Sequence, residues 1–268
     1  MPYRFALERE NYGDYASGKV FYNLPGHPAF PVRLASEIFQ RSLQLRSAKG
    51  LDGPVHLYDP CCGGAYQLAV VAYLHRDRIR GISASDIDEQ ALAIARRNLS
   101  LLTVAGLERR IAEIEALLGL YGKASHQEAR QSAEALKNRL RVAAGAHPLA
   151  PDVFQADALQ GQAIREHFGV QRADLVISDI PYGMRSEWRL PKDAQAKEPV
   201  WLLLENLRGV LAEAALVVIA ADKQHKIAHD GYKQVGKMKA GKRQVVFLES
   251  SGEQGVKREK AVQNKPAG

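Results

Sequence analysis

Cysteine is scarce: Cys61 and Cys62 are the only two in 268 residues, and they are adjacent. Adjacent cysteines build no disulfide framework, which excludes a stapled secreted scaffold and predicts a reducing, cytoplasmic setting. Long apolar runs are also missing. The longest, Ala214 to Ala221, stops at eight residues, far short of the roughly 20 that a membrane helix needs. The opening residues, MPYRFALERE, offer no apolar core and no cleavage site, so no secretory signal is expected. Hydrophobic residues at 46% and charged ones at 25% exclude wholesale disorder and leave room for a packed core.

Acidic residues run short in one region only. Residues 221–268 hold eleven Lys and Arg against five Asp and Glu, so most of the net +7 lies there and the rest of the chain is near neutral. A basic end on a neutral body suggests a polyanionic partner, nucleic acid before membrane. A solvated basic tail is the plainer alternative.

Hydrophobic patterning supplies the architecture. Residues 31–46 place Leu34, Ile38 and Leu45 near one helical face, after a proline-rich loop from Leu24 to Pro31. Short apolar strands follow at Val55–Tyr58, Gly81–Ser85, Asp152–Ala156, Asp174–Ser178 and Leu216–Ala220. Helical stretches separate them: from Tyr66 to His75, through Asn98, to Phe168, and from Val200 to Leu211. Such alternation predicts an α/β fold with a doubly wound, mostly parallel sheet. It pauses over residues 103–147, where Leu107, Ile111, Ile114 and Leu118 recur at helical spacing. A turn is expected at Gly119–Ala124, with Ser125 and Glu128 as a capping box for a second inserted helix. Tyr232–Lys239 and Gln244–Leu248 read as an antiparallel hairpin turning at Ala240–Gly241. The expected organisation is one domain over residues 1–250 and a basic, disordered tail over 251–268.

In such a sheet ligands bind beyond the carboxyl ends of the strands. Asp59, Asp86, Asp157 and Asp179 each stand near one such end. Asp59-Pro-Cys-Cys-Gly63 followed by Gly64 is a strand-to-helix turn with room for a close ligand, yet it lacks the full G-x-G-x-x-G spacing because Ala65 fills the last place. An acid there suits a cationic group better than a pyrophosphate. Asp86 suits a pair of ribose hydroxyls, with Asp88 as the cap of the following helix, and Asp157 suits an adenine amine. Asp179-Ile-Pro-Tyr182 joins a carboxylate, a stiff Pro181 and the ring of Tyr182, a set that fits a planar nitrogen heterocycle. Two motifs invite other readings. His225 and His229 have the i, i+4 spacing of metal ligands but no third ligand, so no metal is expected. Cys61 and Cys62 sit in the cofactor turn, where packing suits them better than nucleophilic attack.

Taken together, these features resemble the class I S-adenosylmethionine-dependent methyltransferases, in which Asp-x-Pro-Tyr marks transfer to a base nitrogen. The chain is more closely similar to the AviRa family of avilamycin-resistance rRNA methyltransferases. The similarity runs through residues 25–35, Glu37–Arg41, Asp59–Gly63, Ala84–Asp88, Tyr121–Lys123 and Asp179–Gly183. It implies a Rossmann-like, seven-stranded, mostly parallel sheet, S-adenosylmethionine as cofactor, and a guanine of 23S rRNA methylated at N1. Large-subunit rRNA or a ribosomal particle would be the partner, the enzyme a monomer, and resistance to orthosomycin antibiotics a consequence. Asp179, Pro181 and Tyr182 would be catalytic. Asp59, Cys61, Gly63, Gly64, Asp86, Asp157 and Asp179 would line the cofactor. Arg33, Tyr182, Lys237, Lys239, Lys242 and Arg243 would meet RNA, with Arg33 a candidate for the methionine carboxylate too. Ala65 stands where the family has Gly, for which a slightly shifted loop is expected. The alternatives are a guanine-N2 or adenine-N6 methyltransferase acting on another RNA or on DNA, a non-catalytic RNA-binding protein, and a nicotinamide oxidoreductase.

Overall fold

A computed structural model describes residues 3–7, 11–142, 149–180, 188 and 198–251. The described residues contain seven strands: β1 (Val55–Asp59), β2 (Ile79–Asp86), β3 (Asp152–Gln155), β4 (Ala173–Asp179), β5 (Leu211–Asp222), β6 (Tyr232–Ala240) and β7 (Arg243–Ser250). Their order in the sheet is β3-β2-β1-β4-β5-β7-β6. The β1–β2, β2–β3 and β4–β5 pairs are parallel, and β7 runs antiparallel to both β5 and β6. This is the Rossmann-like arrangement of class I methyltransferases, closed at its end by a hairpin. The chain forms two compact units, Met1–Ala156 and Asp157–Gly268.

In the first unit, β1 is buried along its whole length. A polar ladder binds it to β2: the His56 ring meets Ser83 Oγ at 2.9 Å and the Tyr58 hydroxyl meets Ser85 Oγ at 2.8 Å. Helix α1 (Val32–Ser47) presents Leu34, Ile38 and Phe39 to the core. It also buries Glu37, whose carboxylate accepts the backbone N–H groups of Arg4, Phe5 and Ala6 and the Nε–H of Arg41 at 2.6 Å. Burial works to raise the Glu37 carboxyl, but those four donors hold it below the usual range. Helix α2 (Tyr66–Leu74) is almost wholly apolar and packs against α1 and α3 (Glu89–Ser100). An aromatic cluster of Tyr15, Phe21, Tyr66 and Tyr73 anchors the N-terminal segment over α2.

The expected inserted hairpin is present as α4 (Val104–Tyr121) and α5 (Ala124–Val142). Its turn is shorter than Gly119–Ala124. Helix α4 runs through Gly119 and stops at Gly122, which adopts φ +60° and donates its N–H to the Leu118 carbonyl at 2.8 Å. Helix α5 therefore begins at Ala124, and Ser125 falls inside its first turn rather than at the cap.

The second unit holds α6 (Gly161–Phe168), β4, α7 (Pro199–Leu207) and strands β5 to β7. Helix α7 is shorter than the expected Val200–Leu211. Past Leu207 a 3-10 turn through Gly209 leads into β5, and Leu211 pairs with Ala173. Strand β5 is correspondingly longer than Leu216–Ala220. Opposite Ala173–Leu175 its ladder jumps from Leu211 to Leu216, and Ala214 in the bulge takes φ +55°. Glu213 breaks the apolar run there, which is why the sequence pattern marks only the second half. The tail over 252–268 lies outside the described residues.

Candidate active site

In each unit parallel strands end in carboxylates. In the first unit Asp59 is the last residue of β1 and Asp86 the last of β2. Asp59 is buried, and its Oδ1 accepts the Cys61 N–H at 3.0 Å, which folds the chain into a tight turn. The next N–H, from Cys62, reaches the Ser85 carbonyl on β2 at 2.9 Å. Gly63 then donates to Asp86 Oδ2 at 2.8 Å, and Asp88 donates to Asp86 Oδ1 at 3.0 Å. The Asp86 carboxylate is thus oriented by backbone N–H groups on both oxygens, with Ile87 contributing beside Gly63 and Asp88. Burial raises its carboxyl above the ordinary value, against the pull of those N–H groups. Asp88 is the cap of α3, accepting the Gln90 N–H at 2.9 Å, as its position suggested.

The glycine turn is held from behind. Gly63 has φ +50°, and a Cβ on Gly64 would come within 3.1 Å of Ile94 Cγ2 and 3.4 Å of Leu24 Cβ. Ala65 follows with φ +52°, left-handed and buried. That conformation explains why glycine would be natural at this place. Asn98, fully buried on α3, donates to the carbonyls of Gly64 (2.8 Å) and Tyr22 (3.0 Å) and accepts the Tyr22 N–H at 2.7 Å. No motif marks Asn98 in the sequence. Its signal was an amide among Leu92, Ala95 and Leu99 on the apolar face of α3. Cys62 is buried with its Sγ toward the Gly63 carbonyl, and burial pushes its thiol well above the ordinary value, so packing is its role.

Arg33, on α1, points its Nε and Nη2 at the carbonyls of Ala6 (2.7 Å) and Leu7 (2.8 Å), with the Tyr3 ring against its face. Its guanidinium fastens the N-terminal segment.

In the second unit Asp157 lies two residues past β3 and folds its own turn. Its Oδ1 accepts the Leu159 N–H (2.9 Å) and its Oδ2 the Gln160 side chain (2.8 Å). Asp179 closes β4, and the following Ile180 donates its N–H to the Ala220 carbonyl. Pro181 and Tyr182 lie outside the described residues. Arg243, expected to meet RNA, brings its Nε to 3.5 Å from Asp179 Oδ1. Lys237 and Lys239 stand exposed on either side of the buried Met238 of edge strand β6, and Lys242 is exposed in the turn. His225 and His229 do not share a helix, because the segment between β5 and β6 is turn and loop. His229 is buried against Trp201 and Tyr232, accepts the Gly231 N–H at Nδ1 and turns Nε2 to Glu205 at 3.0 Å.

Known proteins decide the family. A family described as rRNA methyltransferase AviRa matches residues 1–243. The chain belongs to the AviRa rRNA methyltransferase family. It is an enzyme with S-adenosylmethionine as cofactor. An AviRa relative from Streptomyces viridochromogenes, the 23S rRNA (guanine(2535)-N(1))-methyltransferase, is 40% identical over 249 residues, covering 93% of this chain and 96% of that protein. Two solved structures of rRNA methyltransferase AviRa from the same organism, at 1.5 Å and 2.4 Å, superpose with TM-score 0.80. They are 39% and 40% identical, and each alignment covers 94% of this chain and 97% of theirs.

Proposed function

We propose that this chain transfers a methyl group from S-adenosylmethionine to N1 of a guanine in 23S rRNA. The observation that carries the reading is the 40% identity over 96% of a relative named for that reaction. The turn between β1 and α2 suits the donor. Asp86 offers both carboxylate oxygens, already aimed by Gly63 and Asp88, to a pair of ribose hydroxyls. Asp59 offers a buried carboxylate to the methionine ammonium, and Cys61, Gly63 and Gly64 supply backbone with little side chain in the way. Asp157 takes the adenine amine, through lone pairs left over from its own turn.

The bound donor supplies an already activated methyl on a sulfonium. The protein's work is alignment, exclusion of water and removal of one proton. Guanine N1 carries a proton at neutral pH, and Asp179 accepts it as the methyl arrives. The target base leaves its stack to reach the site, and the ring of Tyr182 receives its face. Arg33 serves by fastening residues 3–7 to α1. Lys237, Lys239 and Lys242 of the hairpin grip phosphates. The enzyme works as a monomer in the cytoplasm, and the methyl group it adds confers resistance to avilamycin-type antibiotics.

Labelled methyl transfer to large-subunit rRNA, followed by nucleoside analysis, tests the reading. The expected product is 1-methylguanosine, and 2-methylguanosine or 6-methyladenosine in its place would overturn it. Asp179→Ala is expected to keep S-adenosylmethionine binding in calorimetry and to lose transfer by about 100-fold or more. Near-normal turnover would remove Asp179 from the mechanism.

A further inference from the structure

Asp179 and Arg243 come together across one strand. Asp179 sits in register with Ala220 on β5, and Arg243 opens β7 opposite Asp222, two places further along the same strand. On that face of β5 stand Ala220, buried and carrying only a methyl, and Asp222, the carboxylate in register with Arg243, whose Oδ1 accepts the Gln224 N–H at 3.0 Å. The side chains of Asp179 and Arg243 are 24% and 22% exposed: their facing Oδ1 and Nε are buried, where the charges matter, and their outer atoms are open to a ligand. The other cations of the hairpin point into water. Arg243 alone among them turns inward, onto the carboxylate proposed to take the N1 proton.

We infer that Arg243 determines base specificity, donating to O6 of the target guanine while Asp179 accepts from its N1. Guanine presents a carbonyl acceptor, O6, beside an N–H donor, N1. Adenine presents an amine donor, N6, beside a bare acceptor nitrogen. A guanidinium beside a carboxylate matches the first edge and opposes the second at both positions. A site built this way leaves its own polar groups unpaired when the wrong base enters, which is the strong form of discrimination.

The same contact assists the reaction. The N1–H bond breaks and its proton passes to Asp179. The electron pair left on N1 forms the new N–C bond while the sulfur–methyl bond breaks and its pair stays on sulfur. As the proton leaves, negative charge spreads from N1 to O6, where the guanidinium already stands. A fixed donor at a developing oxyanion commonly contributes 10²–10³ in turnover. This inference rests on the guanine-N1 reading above.

Arg243→Gln and Arg243→Lys, assayed with 23S rRNA across pH, test it. Arg243→Gln is expected to lose about 100-fold in kcat at neutral pH, with both KM values within about threefold of wild type. Its deficit should narrow as pH rises, because a guanine that ionises on its own needs less help. Arg243→Lys, which keeps a donor and a charge, should fall between. Melting temperature and S-adenosylmethionine affinity report folding, and if Arg243→Gln does not fold, Arg243→Lys carries the test through the same pH-dependent deficit. Turnover within threefold of wild type, a deficit constant across pH, or a raised KM for RNA alone would overturn the inference, the last showing a phosphate contact. Asp179→Asn separates the two claims. If it is inactive while Arg243→Gln is normal, only the role of Arg243 fails; if wild type makes 2-methylguanosine, the N1 reading itself fails.

Discussion

His75 ends α2 with its ring stacked on Phe39, 5.0 Å between centroids, and its Nε2 3.0 Å from Ser36 Oγ. Burial lowers its pKa from 6.5 to about 4, so the folded protein keeps it neutral where an unfolded chain would charge it. The stabilisation is complete above pH 6.5 and declines as pH falls towards 4, by roughly 3 kcal/mol over that window. His75→Gln, which keeps a polar contact but does not titrate, should flatten this part of the stability curve; urea unfolding at pH 7.5 and 4.5 compares the two, and parallel losses would contradict the assignment. Ala65 makes a second residue-scale argument. A left-handed, buried alanine tolerates neither branching nor bulk, so Ala65→Val should cost about 3 kcal/mol or more in unfolding free energy. A loss under 1 kcal/mol would mean that the turn relaxes freely.

At the scale of elements, what the sequence revealed depended on how local the cause was. Asp59, Asp86 and Asp179 close apolar strands, so period and composition locate them without any tertiary knowledge. Asp88 is legible as a cap because capping acts over two residues. Asn98 was not, since its partners, Tyr22 and Gly64, lie 76 and 34 residues away. The Arg243–Asp179 pair depends on the β4–β5–β7 order, which no local pattern encodes. Strand β5 was half legible: its bulge at Ala214 interrupts the alternation that marks a strand. Gly122 rather than Gly119 ends α4, a choice between two glycines that composition alone does not make.

For the whole molecule, the net +7 concentrates in residues 221–268, and the fold sorts those charges by task. Arg243 turns to Asp179, whereas Lys237, Lys239 and Lys242 remain at the exposed end of the edge hairpin. Replacing those three lysines by Gln should lower the slope of log affinity against log salt for rRNA by about two to three, with turnover at saturating RNA little changed. An unchanged slope would place the phosphate contacts elsewhere. Glu37 bears on assembly as well as stability. It collects three consecutive N–H groups from residues 4–6, more than thirty positions earlier in the chain. Those residues leave the ribosome before α1, yet they find their acceptor only after α1 has emerged and coiled. The segment made ahead of α1 is therefore fastened late, and a chain shorn of it would bury a carboxylate lacking three of its four donors.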